Sequence, residues 1–339
     1  MTLKEALLWP LTIPYGAVAH LRARVYRTGL LPQRRLDGVV ISIGNLTTGG
    51  TGKTPMVLWI AQKLISEGNK PGILTRGYRG EASAIGSTSD EVRLMQSRLG
   101  GRAEFGVGAD RIARGRDLRH RGVRWFILDD GFQHLQLARD VDIVLIDATN
   151  PFGGGHLLPA GRLREPRSAL ARADIIVITR GKLEPVIEST ICRDSDAPIF
   201  YAQTQLDSVR TWNGDMPSEE ARDIRSRKLF AFCGIGNPEA FLADLRGWGF
   251  QLAGWKFYPD HHRYTQDDVS AIQAEASKVG AAEFICTEKD IFNLQNARWP
   301  ARKVHFCCVS LQIDREGEFW SKIVQTAEWR ASSREQRTR

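Results

Sequence analysis

The sequence lacks a cysteine framework, a membrane-spanning run and any repeat or low-complexity segment, and each absence narrows its reading. Its five cysteines (Cys192, Cys233, Cys286, Cys307 and Cys308) are odd in number and show no C-x-x-C spacing, so no structural zinc site is expected. Cys233, Cys286 and the Cys307-Cys308 pair lie in strand-like apolar runs, the pattern of buried thiols in a reducing compartment. The most apolar N-terminal stretch, residues 6–21, is interrupted by Pro10, Pro14 and Gly16. It falls short of the ~20 apolar residues that a spanning helix needs. No small-residue cleavage site follows it, so a secretory leader is not expected.

What is present is ordinary for a soluble globular protein of 339 residues: 42% hydrophobic and 25% charged. That length accommodates two domains, or one with a large appendage. The formal charge of +8 favours an anionic partner: on charge alone, nucleic acid, an acidic membrane surface or a phosphorylated substrate. Nucleic acid is the poorest of these, because the basic residues are dispersed and no aromatics interleave with them as a stacking platform. The apolar N-terminal stretch runs directly into Arg22, Arg24, Arg27, Arg34 and Arg35. A greasy segment followed by arginines suits an interfacial anchor, each basic residue contributing on the order of 1 kcal/mol near an anionic surface. A helix packed on the protein's own core fits the same residues.

Val39-Val40-Ile41-Ser42-Ile43-Gly44 is a short apolar, β-branched run, and apolar residues recur at helical spacing over residues 56–64. Between them sits Thr47-Thr48-Gly49-Gly50-Thr51-Gly52-Lys53-Thr54-Pro55. A strand, a glycine turn and a helix N-terminus gather backbone N–H groups and the positive end of a dipole around one anion. Thr48, Gly49, Gly50, Thr51, Gly52, Lys53 and Thr54 are therefore expected to bind nucleotide phosphates, with Lys53 on the outer phosphates and the Thr54 hydroxyl on magnesium. Thr47 stands where the strict G-x-x-x-x-G-K-[ST] pattern has glycine.

Further apolar runs at 72–75, 123–128, 141–146 and 175–179 alternate with helical patterns near 91–99, 109–121 and 168–172. This predicts an α/β fold with a mostly parallel sheet and helices on both faces. The rhythm fails between residues 183 and 227 and resumes with runs at 229–233, 284–287 and 304–309. The expected organisation is a membrane-associating segment (1–35), a phosphate-loop core (36–182), a linker (183–227), a smaller C-terminal α/β domain (228–331) and a disordered tail (332–339).

Several polar clusters follow strands. Asp129-Asp130 ends the run at 125–128, where a magnesium nucleotide needs a carboxylate, direct or through water. Leu157-Leu158-Pro159-Ala160-Gly161-Arg162-Leu163-Arg164-Glu165-Pro166 and Thr75-Arg76-Gly77-Tyr78-Arg79-Gly80 are turn-rich, with charges placed where α/β proteins put ligand contacts. Asp90 reads on its own as a helix N-cap, and Asp110-Arg111 as a cap followed by a surface charge. Tyr258-Pro259-Asp260-His261-His262-Arg263-Tyr264 has poor spacing for a metal, but suits one histidine acting on a proton beside a carboxylate. Thr287-Glu288-Lys289-Asp290 is a weaker cluster of the same kind.

Taken together, these segments resemble the tetraacyldisaccharide 4′-kinase family of the lipid A pathway. The resemblance rests on residues 43–55, Arg76-Gly77-Tyr78, Asp129-Asp130-Gly131-Phe132-Gln133-His134, Leu158-Pro159-Ala160-Gly161 with Leu163-Arg164-Glu165-Pro166, Asp260-His261-His262 and Thr287-Glu288-Lys289-Asp290, in family order. The family's loop also lacks the first glycine. The resemblance implies transfer of the ATP γ-phosphate, with Mg2+, to the 4′-hydroxyl of an acylated glucosamine disaccharide 1-phosphate. It also implies work on the lipid surface at the cytoplasmic face of the bacterial inner membrane, and no obligate protein partner. By the same resemblance Asp90 and one histidine form the acid/base pair; His261 is preferred and His262 remains open. Ser89 stands where the family commonly has glycine. Lys53, Arg111 and Arg164 are expected to neutralise phosphoryl charge, and Thr54, Asp129 or Asp130, and Glu165 to organise the metal. A phosphate-loop ATPase or switch that regulates a partner protein is the competing reading.

Overall fold

The computed structural model describes residues 3–77, 89–212, 214, 219–221, 224–281, 283–294, 298–299 and 303–338. A first parallel set comprises β1 (Val39–Asn45), β2 (Gly72–Thr75), β4 (Trp125–Asp129), β5 (Val141–Asp147) and β6 (Ile175–Thr179), apolar runs buried along nearly their whole length, with the more exposed β3 (Glu104–Val107) and β7 (Ile199–Trp212). The helices of this stretch are α1 (Leu3–Arg27), α2 (Lys53–Ser66), α3 (Asp90–Leu99), α4 (Arg111–His120) and α5 (Pro185–Ile191). A two-residue β8 (Glu219–Glu220) pairs antiparallel with β7. The remainder comprises β9 (Lys228–Cys233), α6 (Pro238–Gly247), β10 (Gln251–Phe257), α7 (Gln266–Lys278), β11 (Glu283–Thr287), α8 (Glu288–Leu294), β12 (Val304–Ile313) and α9 (Glu316–Thr338).

The chain divides into two compact units, Met1–Ser87 with Arg98–Gln203 and Leu311–Arg339, and Thr88–Ser97 with Thr204–Ser310. In the first unit the strand order is β7-β6-β5-β1-β4-β2-β3, parallel throughout. β1 lies between β4 and β5, with Val39 level with Trp125 and Ile41 level with Val141. Its C-terminal end, where the phosphate loop departs, is thus flanked by strand ends on both sides, the place where open α/β sheets bind ligands. α2 buries Met56, Val57, Ile60, Ala61 and Leu64, one helical face, as it lies against β1 and β4. Trp59 of α2 meets Phe319 of α9 at 5.4 Å between ring centroids, and Phe319 meets Phe200 of β7 at 5.2 Å. Full burial of a side chain such as Phe319 contributes about 1.5–3 kcal/mol.

The second unit has the parallel order β10-β9-β11-β12. Its core gathers Phe230, Phe232, Phe284 and Phe306, with Tyr264 edge-on to Phe232. A capping box at Thr265 and Asp268 starts α7, and Pro238 opens α6 behind the Asn237 cap.

The expected strands and the mostly parallel sheet are present. Cys233, Cys286, Cys307 and Cys308 are buried, while Cys192 is exposed. The division of the chain differs from the expected one. The stretch 183–227 contains α5 and the long β7, which passes from one unit to the other; its polar residues alternate with apolar ones along a half-exposed strand and mask it in a search for apolar runs. The second unit also takes residues 88–97 from the middle of the first. Residues 332–338, expected to lack order, continue α9. The N-terminal segment is the helix α1, with Pro10 and Pro14 inside it.

Gly44, near the end of β1, lies against the turn that follows β4: a Cβ there would stand 2.5 Å from Phe132 Cβ and 2.7 Å from its backbone nitrogen. Because the obstacle includes backbone, Gly44→Ala is expected to destabilise the protein by about 1–3 kcal/mol, read as a lowered urea midpoint. An unchanged midpoint would show that the turn yields freely.

Candidate active site

In the first unit the phosphate loop joins β1 to α2 through Gly49 (φ 124°) and Gly52 (φ 87°), conformations that side-chain-bearing residues rarely adopt. Its carbonyls are held from behind. Thr179 Oγ1 donates to Thr51 O (3.2 Å), and Arg180 donates to Gly50 O (3.2 Å) and to Asp147 (2.6 Å). Asn45 Nδ2 donates to Thr47 O at 2.7 Å, and Thr48 N donates to Arg162 O at 2.8 Å. The Thr48 N–H is spent on Arg162 O, and with these carbonyls turned inward the start of α2, at Gly52 and Lys53, offers its positive end to an anion.

Lys53, the first residue of α2, donates to Asn45 Oδ1 at 3.3 Å and lies 3.6 Å from Asp130 Oδ1. Asp130 follows β4 with φ 48°, and Arg164 Nη1 reaches both of its carboxylate oxygens at 2.8 Å. Arg111 donates to the Asp130 carbonyl at 3.3 Å. Burial alone would raise the Asp130 pKa, but Lys53 and Arg164, with Arg111 behind them, outweigh it and hold the carboxyl below its usual range. The buried Asp129 accepts from Thr75 Oγ1 at 3.1 Å. Gln133 bridges the cluster: its Nε2 donates to Asn45 O at 3.0 Å, and its Oε1 accepts from Arg164 at 3.4 Å. His134 is pushed down to about 4 by burial and by Arg111, Arg139 and Arg22, so its ring is neutral at pH 7.

Two expectations change here. Asp110 does cap α4, accepting from Ile112 N and Ala113 N, but Arg111 is buried rather than a surface charge. Glu165, expected on the metal, instead takes both terminal nitrogens of Arg172, at 2.8 and 3.0 Å. Arg172 in turn lies over the Phe132 ring at 4.3 Å. Among the described residues no group of three or more His, Cys, Asp or Glu side chains is arranged to hold a metal. Tyr78, Arg79 and Gly80 lie outside the described residues.

The second unit carries the other expected pair. Asp90 is the first residue of α3, and the Ser89 hydroxyl accepts from Val92 N in the N-cap manner. The Asp90 carboxylate accepts from its neighbour's N–H, Glu91 N, at 2.9 Å and meets His261 Nδ1 at 2.8 and 3.0 Å. Asn293 Nδ2 adds a bond at 3.2 Å. Burial tends to raise the Asp90 pKa, but the His261 hydrogen bond and the charge of Lys289 bring it below its ordinary value. The same hydrogen bond raises His261, against the opposing effect of burial. His261 sits at φ 59°, its backbone N–H donating to Gly234 O. His262 faces elsewhere: it bonds Asp268 at 3.0 Å and stacks on Tyr258.

α8 supports this pair. Lys289 ion-pairs with Glu91, and the buried Asp290 collects Gly234 N, the Tyr264 hydroxyl, and Thr287 N and Oγ1. Asn293 went unnoticed in the sequence. Its only signal is its place four residues after Lys289 on the same helix face.

A family model described as tetraacyldisaccharide-1-P 4′-kinase matches residues 4–328. The chain is similar to the tetraacyldisaccharide 4′-kinase of Desulfotalea psychrophila, 38% identical over 306 residues, covering 85% of this chain and 87% of the relative. To that of Geobacter metallireducens it is 39% identical over 311 residues, covering 85% and 88%. Its fold is similar to that of LpxK from Aquifex aeolicus, crystallised in complex with ATP, with a TM-score of 0.72, 26% identity and coverage of 96% of this chain and 100% of the other. With its phosphate loop, its cationic cluster around Asp130 and a family match along nearly its whole length, the chain belongs to the tetraacyldisaccharide-1-P 4′-kinase family.

Proposed function

We propose that the chain transfers the γ-phosphoryl group of ATP to the 4′-hydroxyl of a tetraacylated glucosamine disaccharide 1-phosphate, giving lipid IVA. The observation that carries the residue-level reading is the convergence of Lys53 and Arg164 on Asp130 beside the phosphate loop. Loop N–H groups and Lys53 hold the β- and γ-phosphates, and Arg164 and Arg111 offset the charge that spreads over the transferring group. The donor set fits magnesium at Thr54 and Asp129, a buried hydroxyl and a buried carboxylate; Asp130 and Glu165 are committed to cations of the protein. Bound with the nucleotide, magnesium would neutralise phosphate oxygens.

Asp90 takes the proton of the sugar hydroxyl. The hydroxyl oxygen forms the bond to the γ-phosphorus as the bond to the bridging oxygen of ADP breaks, ADP leaves with that electron pair, and the proton ends on Asp90. His261 holds the Asp90 carboxylate through Nδ1 and balances its charge. A carboxylate with a lowered pKa is a weak base, which suits a loose transition state in which proton loss comes late. The pair favours a hydroxyl acceptor over the ATPase or switch reading, in which it has no task.

α1 supports work at a lipid surface. Leu11, Ile13, Val18 and Leu21 are 55, 61, 66 and 60% exposed along it, and Arg22, Arg24 and Arg27 follow. No helix among the described residues is long and apolar enough to cross a membrane. We place the enzyme peripherally on the cytoplasmic face of the bacterial inner membrane, where an acceptor with acyl chains resides.

The test is transfer of label from γ-labelled ATP to the disaccharide lipid. Free phosphate without labelled lipid would overturn the reading. Lys53→Ala is expected to lower kcat by about 10²–10³-fold with Tm held within a few degrees; full activity in that variant would remove Lys53 from the chemistry.

In His261→Ala the influence of burial on Asp90 is left without its main opposing hydrogen bond, so the Asp90 pKa rises. The acid limb of the kcat/KM profile should move to higher pH. Stability carries the matching signature. The Asp90 contribution is present above its unfolded pKa of ~3.9 and is lost as pH falls through the lowered folded value. The His261 contribution is complete below ~6.5 and is lost as pH rises through the raised folded value. Urea midpoints of wild type and His261→Ala should therefore differ most between about pH 4 and 6.5 and converge in alkali; a difference independent of pH would exclude the charged pair. On α1, Leu11→Asp with Val18→Asp and Leu21→Asp should abolish sedimentation with anionic vesicles, while turnover of detergent-dispersed lipid survives. Retained sedimentation would place the membrane contact elsewhere.

A further inference from the structure

Arg139, ten residues beyond the end of β4, belongs to none of the groups that face the reaction. Its side chain is only 6% exposed, and its guanidinium makes four hydrogen bonds. Nε donates to Asp142 at 2.6 Å, Nη2 to Phe132 O at 3.0 Å, and Nη1 to His134 O at 2.8 Å and Leu137 O at 3.4 Å. The carbonyls of Phe132 and His134 are those on either side of Gln133, so one rigid fork brackets that residue's backbone. Gln133 spends its amide on Asn45 O and Arg164, and the Asn45 side chain holds Lys53. The clamp is itself anchored. Asp142 N donates to Asp174 Oδ2 at 2.8 Å, and Asp174 pairs with Arg330 of α9.

We propose that Arg139 is a positioning residue for phosphoryl transfer, fixing Gln133 and, through it, the Asn45–Lys53 and Arg164–Asp130 contacts. This rests on the kinase reading above and adds to it a residue that never meets substrate. The turn it clamps leaves β4 through Asp130 in a left-handed conformation and Gly131, whose N–H bonds Ile43 O. A displacement of about 1 Å at reacting groups costs on the order of 10²-fold in rate.

The test compares wild type, Arg139→Lys, Gln133→Ala and the double variant, reading kcat, both KM values, ATP affinity and Tm. Lysine keeps the charge beside Asp142 but cannot fork to both carbonyls. Arg139→Lys is expected to lower kcat at least about tenfold, with the KM for lipid within about twofold and Tm within a few degrees. In the Gln133→Ala background the same change should alter kcat by less than about twofold, because the two residues act in series. ATP affinity should show the same non-additivity. If the two effects multiply, or if kcat is unchanged in Arg139→Lys, Arg139 is a packing residue only and the proposal is overturned. Should Arg139→Lys fold poorly, Arg139→Met with Asp142→Leu removes the buried charges together and is read by the same criteria. Failure of wild type to label lipid would sink the kinase reading alone, and the affinity arm would still judge the clamp.

Discussion

The first unit depends on a charge balance around one carboxylate. Lys53, Arg164 and Arg111 gather at one place, and like charges brought together repel. Asp130 supplies the opposing charge: Arg164 spans both of its oxygens, Lys53 stands 3.6 Å away and Arg111 holds its carbonyl. Its lowered pKa follows from that surrounding. The cations are thereby oriented before any nucleotide arrives, and dipoles and charges already in place are what stabilise a transition state at little reorganisation cost. Phosphate oxygens entering this cluster compete for groups that face an anion already.

The second unit solves the opposite problem, keeping a carboxylate ionised while it is buried. Desolvation favours the neutral acid, and an imidazole, an amide and a nearby ammonium are assembled to oppose it. Those partners come from segments 171 and 203 residues away in sequence, so their alignment needs a rigid support. Asp290 provides it, tying Gly234, Tyr264 and the start of α8 into one buried node. Gly234 O then holds the His261 N–H, which fixes the left-handed backbone that turns this ring, and not that of His262, toward Asp90.

How much of this is legible in the sequence depends on whether the signal is local. Strands buried on both faces announce themselves as apolar runs, and the phosphate loop announces itself through its glycines, because in both cases neighbouring residues carry the pattern. The long β7 does not, since its exposed positions interrupt the run. Residues 88–97 cannot be assigned to the second unit from sequence, because nothing local states which core a short amphipathic helix joins. Buried polar groups are the hardest. Arg111, Glu165, Arg139 and Asn293 all have the composition of surface residues, and their partners are set by tertiary approach. Glu165 shows why, since a carboxylate beside a candidate metal site gives no sign in the sequence that Arg172 lies on both its oxygens.

α1 joins the surface question to the chemical one. Between Trp9 and Leu21 its exposed side chains are mostly apolar, an arrangement that is unfavourable in water and favourable at a headgroup boundary. Its other face is held by the first unit at a telling place: the Tyr15 hydroxyl donates to the carbonyl of Arg164 at 3.0 Å, and Gly16 leaves room for the Leu157 side chain, where a Cβ would stand 2.8 Å from it. The helix proposed to touch lipid therefore rests on the same loop that presents Arg164 to Asp130. An acceptor anchored by acyl chains can move in the plane of the membrane but not far from it, so the height of the cationic cluster above that plane decides whether its sugar is reached. On the proposed membrane reading, the direct bond between α1 and the Arg164 backbone would set that height by structure rather than by a tether, and would let the enzyme act on a headgroup without drawing the lipid out of the bilayer.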